Sequence, residues 1–430
     1  MKLYIKTFGC QMNMYDSARM RDALKPLGYE ETDAPDDADI ILINTCHIRE
    51  KASEKLFSEI GRLNRVRKKT AIMIVAGCVV QADGAELLKR AHAVDIAVGP
   101  QNYHRLPELI TRFQRAHNRV VLADFPAESK FDFLPQARAG GVSCFLAVQE
   151  GCDHFCSYCV VPYTRGCEYS RPVADILAEA RGLVQTGAKE IMLLGQNVNG
   201  WHGEGAKDLG DVIRMLAEIE GLERIRYTTS YPSEMTDNII TAHRDVSKLM
   251  PYIHLPIQSG SNSILKAMNR QYTREHYLEI VERFREVRPD IAVSSDFIVG
   301  FPGETDKDFR ETMDLVSQVG YASSFSFKFS ARPGTPASIM KNQIDETVKT
   351  ERLTELQALL SEQQKTFNRN TVGKTLDVLF VENGKAKGQI SGYTPYLQST
   401  HVMADKVLLG QIRSVKITSA SATSLSGVVV

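Results

Sequence analysis

The chain has 430 residues, 43% hydrophobic and 24% charged, with 52 Lys and Arg against 52 Asp and Glu. That length calls for two or three domains, and the ordinary composition excludes a disordered or fibrous chain. Zero net charge argues neither for nor against nucleic acid. No apolar run approaches a membrane span, and MKLYIKTFGCQMN opens on a strand-like pattern with no signal-peptide core. Eight cysteines then point to the reducing cytoplasm, where clustered thiols are metal ligands or catalysts.

Residues 1–120 alternate strand and helix. KLYIKTFG, ADIILINT, TAIMIVAG and VDIAVG have the length and β-rich composition of buried strands, and helices are expected over Asp16–Lys25, Ile48–Arg67 and Ala82–Arg90. This is the pattern of a parallel sheet covered by helices. Cys10, Cys46 and Cys78 each stand just past a strand's C-terminal end, the edge where open α/β sheets bind ligands. One such cysteine is usually a packing residue. Three at the same station point to a shared [4Fe–4S] site with three protein ligands and one open iron. The run GRLNRVRKK carries Arg62, Arg65, Arg67, Lys68 and Lys69. It reads either as a phosphate-contacting patch or as a solvated helix end. Residues 121–142, punctuated by Pro126, Pro135, Gly140 and Gly141, read as a linker.

From 143 to 335 the alternation resumes. CFLAVQEG, EIMLLGQN, RIRYTTS, YIHLPIQS, VSSDFIVGF and SSFSFKFS are strands, with helices between them, including Val173–Thr186, Thr273–Glu286 and Asp306–Val319. Such βα units fit a partial barrel with its site at the strand ends. The run GCDHFCSYC after the first strand places Cys152, Cys156 and Cys159 at C-x3-C-x2-C spacing. Three cysteines cannot close a four-cysteine shell around a [4Fe–4S] cluster, so one iron is left open. Cys144 and Cys167 have no partner at ligand spacing and read as packing or incidental thiols. A helix over Asp345–Thr371 leads to short alternating strands that predict a small antiparallel barrel. Residues 373–430 hold six Lys and Arg against three Asp and Glu, net +3. Tyr393 and Tyr396 there read either as base-stacking residues or as ordinary barrel aromatics.

The C-x3-C-x2-C run is the signature of the radical S-adenosylmethionine (SAM) superfamily. Over essentially its whole length the chain resembles the radical SAM methylthiotransferases. The motifs that carry the likeness are KTFGCQMN, INTCHIREKASEKLFSEIGRL, VAGCVVQ, GCDHFCSYCVVPYTRGCEYSRP, HLPIQSGSNSILKAMNR, DFIVGFPGET and FSARPGTPAS. The resemblance implies an α/β fold in three parts: a methylthiotransferase domain over 1–120, a partial (β/α)6 radical SAM core with its trailing helix over 138–371, and an RNA-binding TRAM domain over 372–430. It implies that Cys152, Cys156 and Cys159 hold the SAM-cleaving cluster and that Cys10, Cys46 and Cys78 hold an auxiliary cluster that handles sulfur.

The same resemblance places Tyr158, Gln258, Ser259 and Asp296 near SAM. Gly195-Gln196-Asn197 stands where many relatives have an acidic GGE for the SAM amino group. Arg332 reads either as an anion contact or as a turn residue. The implied reaction adds a methylthio group to carbon 2 of N6-isopentenyladenosine beside the anticodon of a tRNA, using two SAM per turnover. Implied partners are that tRNA, an electron donor such as a flavodoxin, and an iron–sulfur or sulfur supply protein, with no membrane. Two other readings stay open at this point: methylthiolation of a ribosomal protein side chain, and a non-enzymatic Fe–S sensor that binds RNA.

Overall fold

The structure, a computed structural model, describes residues 1–46 and 50–430, and of 50–54 the backbone alone. The expected helix start at Ile48 and the HIR of NTCHIREKA lie outside the described residues. The chain forms two compact units. The first comprises Met1–Gly140, Phe145–Asp153 and Val160–Tyr169; the second comprises Gly141–Cys144, His154–Cys159 and Ser170–Val430.

The first unit begins β1 (Lys2–Thr7), α1 (Gln11–Leu24), β2 (Glu30–Glu31), β3 (Ile40–Asn44) and α2 (Glu50–Val66). It continues through β4 (Ile72–Ala76), α3 (Cys78–Arg90), β5 (Ile96–Val98), α4 (Leu106–Ala116) and β6 (Val120–Leu122). The sheet order is β2-β1-β3-β4-β5-β6, and every pairing is parallel. Side chains alternate between two cores, as the strand period requires. Ile40, Leu42, Ile72 and Ile74 pack with Met20, Leu24 and Leu106 on one face. Ile41, Ile43, Met73 and Val75 pack with Leu56, Ile60, Leu63 and Val80 on the other.

Two helices start earlier than the sequence pattern predicts: α1 at Gln11 and α3 at Cys78 itself. The expectation followed apolar periodicity, whereas the helix begins as soon as the parallel strand has turned. Cys10 caps α1, and Cys78 is the first residue of α3. Strand β6 uses the first residues of the stretch read as a linker. The basic run is largely paired, as a solvated helix end would be. Arg62 bonds Glu59 through two nitrogens, Arg67 reaches Asp95, and Lys68 lies between Asp37 and Asp39.

Next in the chain are β7 (Ser143–Ala147), β8 (Gln149–Glu150), α5 (Val161–Arg165) and β9 (Tyr169–Ser170). The second unit then runs α6 (Val173–Gln185), β10 (Glu190–Leu194), α7 (Leu209–Ala217), β11 (Arg224–Tyr227), α8 (Asp237–Asp245) and β12 (Tyr252–His254). It continues α9 (Asn262–Ala267), α10 (Arg274–Val287), β13 (Ala292–Val299), α11 (Asp306–Val319), β14 (Ser323–Lys328) and α12 (Glu346–Arg369). The six expected core strands are present, ordered β11-β10-β7 and β12-β13-β14, with β10–β11, β12–β13 and β13–β14 paired in parallel. A backbone bridge from Ile225 to Leu249 joins β11 to the approach of β12. Among the described residues no helix is long and apolar enough to cross a membrane.

The last five strands, β15 (Thr375–Asn383), β16 (Gln389–Tyr393), β17 (Ser399–Met403), β18 (Ile412–Ala420) and β19 (Ser424–Val429), close a barrel ordered β15-β16-β17-β19-β18. The expected all-antiparallel pairing is corrected at one seam, where β17 and β19 run parallel. Strand β18 pairs with β15, so its hairpin partner β19 closes the gap beside β17 in that strand's own direction.

Two arginines of β11 seat this barrel within the second unit. Arg224 donates to the carbonyls of Tyr393 and Asp377, and Arg226 to those of Thr394 and Pro395. Arg226 is 1% exposed and also bonds the Glu190 carboxylate at 2.8 Å. The Tyr396 hydroxyl donates to Asp290 and its ring meets Phe367 edge-on, so Tyr396 is a packing residue of this seam. We predict that Arg226→Met leaves Glu190 buried without its partner, at a cost of about 3–5 kcal/mol. Hydrogen exchange should rise first in β15–β19. An unchanged exchange pattern there would show that Arg226 does not hold the barrel.

Candidate metal centres

In the first unit, β1, β3 and β4 are adjacent parallel strands, so their C-terminal ends share one edge. Cys10 follows β1, Cys46 lies two residues beyond β3, and Cys78 follows β4. Gly9 and Gly77 hold φ near +123° and +100°, a region that favours glycine. A Cβ on Gly9 would stand 2.6 Å from the Cys46 Cβ, and one on Gly77 would strike the Thr45 carbonyl oxygen. These glycines let the three cysteine turns close on one another. Cys46 and Cys78 are buried, while Cys10 is exposed.

The Cys46 thiol hydrogen-bonds both other thiols. That bond, with the nearby Arg165 charge, lowers Cys10 to about 6 and Cys78 to about 7. Cys46 is pushed up by the same two hydrogen bonds and by burial. Both lowered thiols also sit at helix N-termini, where the backbone favours thiolate. Among the described residues no three His, Cys, Asp or Glu close on a single metal ion. A donor set made only of thiols suits a polynuclear cluster, in which each sulfur meets its own iron. The residues therefore fit the group that the sequence implies.

Behind these thiols lies a buried charge network. Arg165, the last residue of α5, donates through Nε to the Cys78 Sγ at 3.3 Å. Its Nη1 reaches Glu150 at 2.7 Å, and its Nη2 reaches Asp16 at 2.7 Å and Asn13 at 3.2 Å. Lys130 contacts Glu150 at 2.7 Å and Asp16 at 3.6 Å, and donates to the Pro100 carbonyl. All four charged residues are at most 3% exposed. Burial pushes the Glu150 carboxyl up, but Lys130 and Arg165 more than offset it, and the carboxyl is lowered. The sequence reading missed this network. Arg165 stood in the quoted VVPYTRG, but Lys130 lay in the apparent linker, where nothing marked it.

The core triad lies where the chain leaves β8. Cys152 belongs to the first unit and donates its N–H to the Gly166 carbonyl at 3.3 Å. Cys156 and Cys159 belong to the second, and the Cys159 N–H bonds the Cys156 carbonyl at 2.9 Å. This half of the loop is pinned at Ser157, which bonds the backbone of Met268, Ala267 and Ala337. Tyr158 packs against Ile264, Met268, Phe301, Phe329 and Ala337, and burial raises its hydroxyl well above the usual range. Arg270 donates to the Cys156 Sγ at 3.5 Å, the Tyr272 hydroxyl at 2.6 Å and the Pro256 carbonyl at 2.9 Å.

The remaining expected SAM residues fall in the same unit. Gln258 takes φ +74° and bridges β13 by two backbone hydrogen bonds of 2.9 Å. The Ser259 hydroxyl is turned to Thr312 at 3.4 Å and accepts the Ser261 N–H. Asp296 alternates with the buried Ser295 and Phe297, and one of its carboxylate oxygens lies 3.6 Å from His254. Glu304 of the same motif is held by hydrogen bonds within the unit: it accepts the Gly300 N–H and an Arg352 N–H, both at 2.9 Å.

Asn197, of the Gly195-Gln196-Asn197 strand end, donates to Glu234 at 2.5 Å. His154 lies 3.0 Å from the other Glu234 oxygen and stacks on Tyr231, with centroids 3.7 Å apart. A carboxylate thus stands at this strand end after all, supplied from the turn after β11. The YPSE run that carries it gave no sequence signal.

Residues 2–99 match the family described as uncharacterized protein family UPF0004, and residues 146–316 match the radical SAM superfamily. The tRNA-2-methylthio-N(6)-dimethylallyladenosine synthase of Maricaulis maris (strain MCS10) is 55% identical over 440 residues, covering 99% of this chain and 96% of that protein. The synthase of Rickettsia canadensis (strain McKiel) is 56% identical, covering 99% of this chain and 98% of that protein. Among solved structures, the radical S-adenosylmethionine methyltransferase TsrM from Kitasatospora setae, with cobalamin and a [4Fe-4S] cluster bound, has the same fold at TM-score 0.61 and 16% identity. It covers 79% of this chain and 77% of its own. The cobalamin-dependent S-adenosylmethionine radical enzyme OxsB follows at TM-score 0.53 and 13% identity, over 84% of this chain and 56% of its own. The chain belongs to the tRNA-2-methylthio-N(6)-dimethylallyladenosine synthase family.

Proposed function

We propose that the chain adds a methylthio group to carbon 2 of N6-isopentenyladenosine beside the anticodon of a tRNA. The observation that carries this reading is identity of 55–57% over 98–99% of the chain to proteins named for that product. In this reading Cys152, Cys156 and Cys159 hold the SAM-cleaving [4Fe–4S] cluster, and Cys10, Cys46 and Cys78 hold the auxiliary one. When bound, the clusters and SAM supply one-electron chemistry and a place for sulfur that no side chain provides. Two SAM are used per turnover.

In the same reading residues 1–120 carry the auxiliary site, 138–371 the radical site and 372–430 the tRNA-binding barrel. A low-potential electron donor such as a flavodoxin and a sulfur supply protein serve the chain in the cytoplasm. Tyr158, Gln258, Ser259 and Asp296 surround SAM, and Glu234 accepts from its amino group.

The fit to a prenylated base comes from β14. Lys328 on that strand reaches Glu346 and Thr350 of α12, so the alternating Phe325 and Phe327 face the opposite, inner side. They are 56% and 39% exposed and pair in register with Asp296 and Ile298. Large exposed aromatics at a strand's inner face suit an apolar arm such as the isopentenyl group. The terminal barrel meets the tRNA phosphates through Lys374, Lys385, Lys387, Lys406, Arg413 and Lys416, all of them exposed.

The decisive experiment is nucleoside mass spectrometry of tRNA from cells lacking the protein. Missing 2-methylthio groups support the reading; an unchanged profile removes it. Cys156→Ala should end 5′-deoxyadenosine formation, whereas Cys46→Ala should keep it and lose only the methylthio product. Methylthio product from Cys46→Ala would overturn the auxiliary assignment. Replacing Phe325 and Phe327 with Ala should lower kcat/KM for prenylated tRNA roughly 10–100-fold while sparing SAM cleavage; an unchanged value removes the prenyl wall. Lys385→Gln with Lys387→Gln should weaken tRNA binding and flatten its salt dependence by about one unit of slope for each phosphate no longer neutralised. An unchanged slope would place the RNA elsewhere.

A further inference from the structure

Arg165 occupies an unusual position. Its guanidinium is 3% exposed and serves four acceptors at once: the Cys78 sulfur, Glu150, Asp16 and Asn13. Its positive charge and that of Lys130 face the negative charges of Asp16 and Glu150, so the network is neutral before any thiolate is counted. The planar fork matches these directions; an ammonium carries the charge but cannot reach all of them. A donor to a ligating sulfur draws electron density from it, and hydrogen bonds to sulfur are among the determinants of a cluster's potential. A fixed charge in a water-poor interior acts over several ångströms with little screening.

We propose that Arg165 is a positioning residue for the auxiliary cluster: it fixes the Cys78 ligand and raises the potential at which that cluster accepts an electron, with Glu150 acting in the opposite direction. This rests on the assignment of Cys10, Cys46 and Cys78 as cluster ligands. The step concerned is addition of one electron from a low-potential one-electron donor to the cluster. No bond forms or breaks, and no proton is taken up. Arg165 ends the helix that begins two residues after Cys159. The stretch carrying the core cysteines is thereby continuous in sequence with the residue that holds the auxiliary site.

The test uses the full chain with Cys152, Cys156 and Cys159 replaced by Ala, reconstituted with iron and sulfide. Potentiometric titration is followed by the electron paramagnetic resonance of the reduced cluster. Arg165→Gln should make reduction at least tenfold less favourable, a drop of about 59 mV for a one-electron couple. Arg165→Lys, which keeps the charge but loses the fork, should fall between it and the parent. Glu150→Gln leaves the Arg165 bond to Cys78 in place and should move the potential upward. Shifts of the same sign in Arg165→Gln and Glu150→Gln, or none in either with four irons bound, would overturn the proposal. If Arg165→Gln fails to hold its cluster, Glu150→Gln decides alone: an unmoved or lowered potential is fatal. A parent variant that takes up no cluster would instead sink the assignment of Cys10, Cys46 and Cys78.

Discussion

In a parallel sheet every strand delivers its C-terminal end to the same edge, and the first candidate centre depends on that constraint. Cys10, Cys46 and Cys78 are 36 and 32 residues apart in sequence, yet they follow three strands that are neighbours in the sheet. The approach is closer than strand spacing alone requires, because Gly9 and Gly77 remove the two Cβ atoms that would hold the Cys46 turn away. Once the thiols are that near, their acidities separate. The two at helix N-termini fall toward thiolate, and the one between them rises. Thiolates at a buried edge need positive charge beside them. Arg165 supplies it, and its own burial in turn requires Asp16 and Glu150.

The second unit solves a different problem with the same residue type. A small barrel at a chain end could swing freely on its connection from α12. Here Arg224 and Arg226 of β11 instead commit their donors to four carbonyls of that barrel. Each of these four bonds is to a backbone oxygen, so this part of the seam does not depend on which side chains the barrel carries. Its outer surface is left free to hold exposed lysines. Burial lowers Arg224 to about 10, with Glu190 partly compensating, which marks how far the seam is removed from water.

Much of this was legible in the sequence. Strand positions followed from β-rich runs of buried length, and α11 begins and ends where its pattern said, with Thr305 and Asp308 forming a capping box. The stations of all six cysteines were readable because they lie next to strand ends or at fixed spacing in one loop. What could not be read has a common physical origin. Lys130, Glu234 and Arg165 act through contacts 15 to 152 residues away, and single-sequence periodicity carries no such pairing. Tyr396 shows the converse. Aromatic residues in a basic barrel suggested base stacking, but its hydroxyl and ring are committed to Asp290 and Phe367. The early starts of α1 and α3 were hidden because their first turns, QMNM and CVVQ, follow the strands at once, and no break in the apolar pattern marks where the helix begins.

Likeness of fold does not reach the chemistry. TsrM and OxsB have the architecture at 16% and 13% identity, and nothing in that likeness says what stands at the strand ends. In this chain those ends carry thiols, and one arginine N–H is aimed at a sulfur of each triad: Arg165 at Cys78 and Arg270 at Cys156. The two arginines come from unrelated elements, so the pairing is not a consequence of one local motif. Their surroundings differ in charge. Arg165 is balanced by two carboxylates, whereas among the described residues Arg270 meets no carboxylate and is flanked by the rings of Tyr231 and Tyr272, 4.3 and 5.0 Å from its guanidinium. The Cys156 sulfur therefore lies beside a positive charge with no carboxylate on it among the described residues, and the Cys78 sulfur beside a balanced one. Two triads of the same residue type are thus set in different electrostatic surroundings, and that difference is written in residues outside both.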